Sequence, residues 1–292
     1  MEGTQSSTTA EYMALFRAQE SALPKGGRLF DDPFALSFLS PRLRIVSALF
    51  RVPVVRSLLV RWIDAHWPGA RTSAIARTRL IDEWASAAAI AGLQQAVILG
   101  AGYDCRAWRL PAFSDVAVYE VDYPATSAEK RRLIETIGLP IARVCFAPVD
   151  FERESLSEGL AKTAFRAGEP TFVIWEGVTN YLTAQAVDAT IRWVATLAKG
   201  SRLIFTYVDV GVIDHSDRFK DAGSSRLAVT SVGEPWTFGF QPRELPTYLE
   251  ARGLQLVRDM AADEYRAYAM GERAVHAKGY EFYHTALART VG

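Results

Sequence analysis

Cysteine is nearly absent from this chain, with Cys105 and Cys145 the two among 292 residues. Two thiols build no disulfide framework, and they show none of the spacings by which Cys and His hold a metal. A stapled scaffold and a zinc module are both excluded, and the usage suits a reducing cytoplasm, the expected location. An excess of either charge is missing too. Lys plus Arg and Asp plus Glu stand at 33 each, so no bulk charge points to nucleic acid. The chain also lacks a long uninterrupted apolar run. Its most hydrophobic long window, Leu43 to Trp62, carries Arg44, Arg51, Arg56 and Arg61, and four arginines rule out an ordinary membrane span. Met1 to Ala10 is small and polar, without the apolar core of a signal sequence. No internal repeat or low-complexity tract is present. What remains, 49% apolar and 23% charged, is an ordinary globular composition in a chain long enough to bury a sizeable core.

The stretch that organises the rest is Ala96-Val-Ile-Leu-Gly-Ala-Gly-Tyr-Asp104. Ala96 to Leu99 reads as a buried strand that breaks at Gly100-Ala101-Gly102. A strand, a Gly-rich turn and a helix start form the geometry that receives a nucleotide-like ligand at the carboxyl edge of a parallel sheet. About twenty residues on, a second run, Ala117 to Val121, ends in Asp122, placed to bind the two hydroxyls of a ribose. The full dinucleotide fingerprint has a third glycine three residues after the second, which closes a helix on a pyrophosphate; here Cys105 stands at that place. The departure favours a ligand with an adenosine and no pyrophosphate, a description that S-adenosylmethionine (SAM) fits.

Residues 11 to 90 carry helical patterns and no strand pattern. Asp31-Asp32-Pro33-Phe34 reads as a helix start, an acidic cap with proline in the first turn. From Val54 to Ile63 apolar pairs recur every four residues, predicting one apolar stripe with Arg56 and Arg61 turned away. Such a basic helix either binds a membrane surface or packs on its own protein; the second is the expectation. A helix over 70–91 turns Ile75, Leu80, Ile81, Trp84 and Ala88 inward, and its Arg71, Arg77 and Arg79 are surface charges or ligand clamps. Beyond 91 strands and helices alternate. Strands are predicted at 96–99, 117–121, 144–149, 171–175, 202–208, 254–259 and 281–287. The intervening helices fall at 126–137 (exposed), 184–198 and 245–252, and an irregular polar stretch runs from 209 to about 240. This alternation predicts an α/β fold, an open, mostly parallel, doubly wound sheet.

Asp122, Asp150 and Glu176 each sit just past a predicted strand, where the strand ends of a doubly wound sheet converge on one crevice. They either cap the following helices or divide among a ribose, an adenine and a cationic amino-acid tail.

These residues carry a family resemblance. Ala76-Arg-Thr78, Leu99-Gly-Ala-Gly-Tyr-Asp104 with Trp108-Arg-Leu110, Tyr119-Glu-Val-Asp-Tyr-Pro124 and Trp175-Glu-Gly-Val-Thr-Asn-Tyr-Leu-Thr183 resemble the leucine carboxyl methyltransferase-like family. Phe16-Arg-Ala-Gln-Glu-Ser21 and Asp32-Pro-Phe-Ala35 match as well, so the likeness covers nearly the whole chain in order. That family belongs to the Rossmann-like class I SAM-dependent methyltransferases. It includes eukaryotic enzymes that methylate a phosphatase C-terminus and bacterial enzymes that methylate polyketides. The resemblance implies Arg77 at the SAM carboxylate with Arg17 nearby, and Gly100, Ala101 and Gly102 beside the methionine tail. It implies Asp122 on the ribose, Asp150 and Phe151 around the adenine, and Glu176 or its backbone at the ammonium. The departures from the phosphatase-modifying enzymes fall around 1–60 and 209–245, where no pocket for a peptide C-terminus is legible.

The expected organisation is an N-terminal helical lid over 1–90 and a SAM-binding Rossmann-like domain over 91–292, with a substrate-side insertion at about 209–245. The expected activity is methyl transfer to oxygen, on a carboxylate or hydroxyl of a small natural product such as a polyketide. The alternatives are a protein C-terminal carboxyl methyltransferase, a non-catalytic SAM- or nucleotide-binding protein, and a nicotinamide oxidoreductase. A carboxylate acceptor is already ionised and needs no base; a phenol or alcohol needs one, and Tyr181, Tyr207 and His215 are the candidates. No Asp/Asn-Pro-Pro-Tyr motif follows the fourth strand, which speaks against amino-group methylation of adenine or glutamine. The expected partner is a small-molecule acceptor, with neither nucleic acid, membrane nor metal.

Overall fold

In a computed structural model the chain is described over residues 8–150, 153–214, 219, 235–277 and 279–291. The strands are β1 (Gln95–Leu99), β2 (Ala117–Asp122), β3 (Val144–Pro148), β4 (Thr171–Trp175), β5 (Arg202–Val208), β6 (Leu254–Ala261) and β7 (Tyr283–Thr290). They form one sheet in the order β3-β2-β1-β4-β5-β7-β6. β1 to β5 pair in parallel, whereas β7 runs antiparallel to both β5 and β6. The fold is the expected α/β, mostly parallel and doubly wound one. β7 is the antiparallel member of this mostly parallel sheet, a direction specified by the path of its connection and not by its own composition.

The central strands are apolar without interruption because both faces of the sheet are covered. On one face Val97, Leu99, Val173, Trp175 and Phe205 meet Val187, Ile191 and Val194 of helix α8 (Ala184–Ala195). On the other, Ala96, Ile98, Ile174 and Ile204 meet Ile81, Ala85 and Ala88 of helix α4 (Ala70–Ile90). The alternation of odd and even residues of β1 between these clusters is the two-residue period of a strand. α4 thus belongs to the layer on the sheet. Ahead of it lie α1 (Thr8–Ser21), α2 (Pro41–Leu49) and α3 (Pro53–His66).

Four local readings are corrected. Asp32 does cap the following turn, its Oδ1 accepting from the amides of Phe34 and Ala35. That turn is, however, a four-residue 3-10 helix, Ala35–Phe38, ended by extended Leu39 and by Pro41, where α2 begins. The stripe Val54–Leu58–Trp62 of α3 faces water, and Leu59, Val60 and Ile63 make its inner face. Helix α6 (Pro124–Thr136) is not wholly exposed, for Thr126, Ser127, Lys130 and Ile134 are buried. Two further helices stand where none was predicted, α7 (Leu156–Ala161) and α10 (Ala262–Met270). The remaining helices are the single turn α5 (Arg106–Arg109) and α9 (Leu245–Glu250).

The strand order places the crevice. From β1 the chain winds outward through β2 and β3, then crosses back to β4 on the other side of β1. The loops after β1 and β4 therefore part at the carboxyl edge, the usual ligand position in an open α/β sheet.

Candidate functional site

The turn after β1 is shaped by two glycines with left-handed backbone, Gly100 at φ 61° and Gly102 at φ 43°. At Gly100 a Cβ would lie 2.4 Å from Cγ2 of Val178, so the turn closes tightly on the segment after β4. The Gly102 amide donates to Oδ2 of Asp122 at 2.6 Å, and the Tyr123 amide to Oδ1 at 2.7 Å. Two backbone donors thereby aim the Asp122 carboxylate back at the turn. Burial raises its pKa against the pull of those amides. Each oxygen keeps a further lone pair for a ligand hydroxyl.

Beside the turn lies a buried chain of alternating charge. Arg17 Nε donates to Asp32 at 2.9 Å, and Asp32 stands 3.7 Å from Arg109 Nε. Arg109 makes a two-pronged contact with Asp82, whose Oδ1 also accepts from Arg106 Nε at 2.8 Å. Arg106 continues to Asp104 and, at 2.8 Å, to Glu176; Glu176 in turn accepts from Arg77 Nε at 2.8 Å. Four guanidiniums and four carboxylates alternate, and no charge in the chain is left bare, which is the condition for burying them. Burial alone would raise the Glu176 carboxyl, but Arg106 and Arg77 outweigh it and hold it at about 2. Against burial, Tyr283 and Glu176 raise the Arg77 guanidinium, and Asp104, Glu176 and Asp82 raise that of Arg106, so both stay cationic.

These groups border a cavity of about 620 Å³. Its polar lining includes Gly100, Gly102, Asp122, Arg77 and Glu176; its aromatic and apolar lining includes Tyr181, Leu182, Trp236, Tyr280 and Tyr283, the last with the Arg77 guanidinium 5.0 Å over its ring. α1 supplies a wall through Thr9, Ala10 and Met13, and Arg17 pins that helix by donating to the Tyr103 carbonyl at 2.5 Å. The charged residues among the described lining are Arg17, Arg77, Asp104, Asp122 and Glu176, one more acid than base.

Of the residues singled out in the sequence, Arg17, Arg77, Gly100, Ala101, Gly102, Asp122, Glu176 and Tyr181 meet at this cavity. Asp150 does not line it; its carboxylate lies 3.4 Å from Arg153 Nε. Tyr207 is removed from the candidate bases: it is wholly buried, with its ring stacked on His284 and its hydroxyl donating to Asp259 at 2.6 Å. Its place on β5 turns it into the core and away from the crevice. Phe151 and His215 lie outside the described residues.

Residues 10–195 match the family model of leucine carboxyl methyltransferase. The chain belongs to the leucine carboxyl methyltransferase family. This family sits among the SAM-dependent methyltransferases, and its relatives are named accordingly. One from Mycobacterium tuberculosis, provisionally named an S-adenosyl-L-methionine-dependent methyltransferase, is 36% identical over 203 residues. That match takes in 64% of this chain but 60% of the relative's length. A relative from Mycobacterium avium with the same provisional name is 32% identical over 258 residues, 79% of this chain and 77% of its own. Among solved structures, a DUF574 family protein from Streptomyces avermitilis superposes with a TM-score of 0.62 at 15% identity over 98% of both chains. A protein from Thermobifida fusca, provisionally titled a methyltransferase, gives 0.61 at 16% over the same shares. At these identities the two structures establish the fold.

The cavity of this family member suits SAM in the chemistry of its donors. Asp122 offers a carboxylate to a vicinal diol, and Arg77 and Glu176 offer one cation and one anion to a zwitterionic tail. SAM carries one net positive charge, the sulfonium, and the described lining carries one net negative. Sequence reasoning missed Arg106, Arg109, Asp82 and Asp104, which hold Glu176 and its neighbours in place. Their signal was present only in part, in the Tyr103-Asp104 and Trp108-Arg109 segments of the family motifs.

Proposed function

We propose that this protein transfers the methyl group of SAM to an oxygen, and that the acceptor is the carboxylate of a small natural product such as a polyketide. In this reading Asp122 takes the ribose hydroxyls. Arg77 takes the cofactor carboxylate, with Arg17 beside it, and Glu176 or its backbone takes the ammonium. Gly100 to Gly102 flank the methionine tail, and the adenine role implied for Asp150 is set aside because Asp150 lies off the cavity. A charge-assisted hydrogen bond of this kind contributes roughly 1.5–3 kcal/mol. SAM supplies an electrophilic methyl on a sulfonium. The remaining task of the chain is to align acceptor oxygen, methyl and sulfur while keeping water out, so positioning carries the rate. The aromatic lining of the cavity, with Trp236 and Tyr280, offers flat apolar surface to a conjugated acceptor.

One observation carries the choice of a carboxylate. Among the described lining residues there is no imidazole, and the carboxylates of Asp104 and Glu176 are already taken by guanidiniums. With Asp122 given to the ribose, an acceptor that must lose a proton finds only Tyr181 among the candidate bases in the described lining, and a phenol is a far weaker proton acceptor than an imidazole, whereas a carboxylate arrives ionised. The test is the product formed from an acceptor that bears both a carboxyl and a phenol. A methyl ester, cleaved by mild alkali, is expected, with a rate nearly flat from about pH 6 to 9. Tyr181→Phe and His215→Ala should each keep turnover. An alkali-stable methyl ether, with a rate climbing through that range, would reject the carboxylate and leave the SAM site standing.

A further inference from the structure

α2 and α3 carry apolar side chains on two faces. The inner face, with Phe50, Leu59 and Ile63, packs in one cluster with Phe16, Phe30 and Ile75. The outer face stands open. Val54, Leu58 and Trp62, spaced by four along α3, are 71%, 61% and 51% exposed, and Ile45 on α2 is 65% exposed. A surface helix with one apolar stripe turned to the core and a second turned away needs a partner for the second.

Charge identifies that partner. Residues 41–63 hold Arg42, Arg44, Arg51, Arg56 and Arg61, and neither an acid nor a lysine. Among the described residues none of the five is in an ion pair; Arg44 donates to the carbonyls of Ser37 and Leu39 and so stays uncompensated. In a chain of zero formal charge, the segment that carries these exposed apolar residues thus holds five cations and no acid, and on α3 Arg61 lies one turn from Leu58. A second copy meeting this face through a two-fold axis would set five arginines against five. A lipid surface with anionic headgroups satisfies both features, hydrocarbon taking the aliphatic ends and phosphates the guanidiniums. Trp62, its ring packed on His66 and Trp67, is the residue type that settles at headgroup depth. Among the described residues no helix is long and apolar enough to cross a membrane, so the contact lies in the plane of the interface.

We propose that the α2–α3 pair docks this protein on a bilayer containing anionic lipid, with Ile45, Val54, Leu58 and Trp62 entering the acyl boundary and the arginines meeting the phosphates. This goes against the expectation, drawn from the sequence, of a helix packed only on its own protein. Co-sedimentation of the full chain with lipid vesicles tests it. Retention is expected on vesicles in which about a quarter of the lipid is phosphatidylglycerol, with release by high salt and little binding to phosphatidylcholine alone. Leu58→Ser/Trp62→Ser and Arg51→Glu/Arg61→Glu change exposed side chains only, so each should keep the unfolding temperature and lose binding. The expected loss is roughly fivefold for each unit of charge removed. Failure of the unaltered chain to bind anionic vesicles overturns the proposal, as does binding that survives both double variants. A solution dimer that Leu58→Ser/Trp62→Ser dissolves would also overturn it, by giving the face to a second copy.

Discussion

Arg77 Nε donates to Glu176 at 2.8 Å, so the two side chains expected to take opposite ends of one amino-acid tail are paired with each other. The pairing organises both for the task. Glu176 is held from its other oxygen by Arg106, and the terminal nitrogens of Arg77 are left toward the cavity, where Nη2 meets the Met13 thioether at 3.6 Å. A ligand carboxylate can join Arg77 without breaking the bond to Glu176, because a guanidinium donates along two edges.

Arg77→Ala should therefore weaken SAM by roughly ten- to a hundredfold, the worth of a charge-assisted bond of about 1.5–3 kcal/mol. Adenosine, which lacks the tail, should bind as before. Arg77→Lys should recover part of the SAM affinity, since a point charge replaces a fork. Calorimetric titration of both ligands against the three proteins is the measurement. Equal losses for SAM and adenosine would make Arg77 a structural residue.

Asp122, proposed for the ribose, also accepts from the Gly102 amide, and its variants should separate the two roles. Asp122→Ala removes both; Asp122→Asn keeps an acceptor for the turn but drops the charge. The lining then loses its single excess negative charge. SAM, with its sulfonium, should lose more than its demethylated product, by about fivefold for a charge interaction on the order of 1 kcal/mol. A SAM-to-product affinity ratio that does not change in Asp122→Asn would refute the electrostatic part of this reading.

Beneath the site, Glu120 on β2 lies 2.6 Å from Lys130 on α6, both nearly sealed from water. Burial pushes the Glu120 carboxyl up to about 7, against the pull of Lys130. The folded value lies above the unfolded one, about 4.5, so the folded chain binds the extra proton between those values. Stability must then fall as pH rises through that window, by about 3 kcal/mol at about 1.4 kcal/mol per unit. Urea unfolding of Glu120→Gln and the parent between pH 4.5 and 7 should show the parent losing ground steadily to the variant. The opposite slope would mean that Lys130 dominates the pair.

What could be read in advance follows from range. The β1 run Ala96–Leu99, its glycine turn and Asp122 were legible because a strand buried on both faces must be apolar throughout and its break must admit φ above zero. The Arg106–Asp82 and Arg106–Glu176 bonds join residues 24 and 70 apart, and no spacing rule spans such separations. The four-residue rhythm at Val54–Leu58–Trp62 was legible as periodicity. It could not say which of two apolar faces turned inward, because that depends on Phe50 and Ile75 arriving from elsewhere. α7 was a missed signal: Ser155-Leu-Ser-Glu158 is a capping box, with Ser155 Oγ accepting from the Glu158 amide and Glu158 accepting from the Ser155 amide.

The place of β7 has a consequence for the order in which the chain can be assembled. Among the described residues β6 pairs with the sheet only through β7, which comes later in the chain and lies between β6 and β5. During synthesis β1 to β5 can close their parallel ladder as they emerge, whereas residues 254–261 must wait for 283–290 before they gain a neighbour. β6 and β7 therefore join as a pair, in a late step that leaves the β5 edge open until then. That interval is when this protein is most open to wrong pairing along a strand edge.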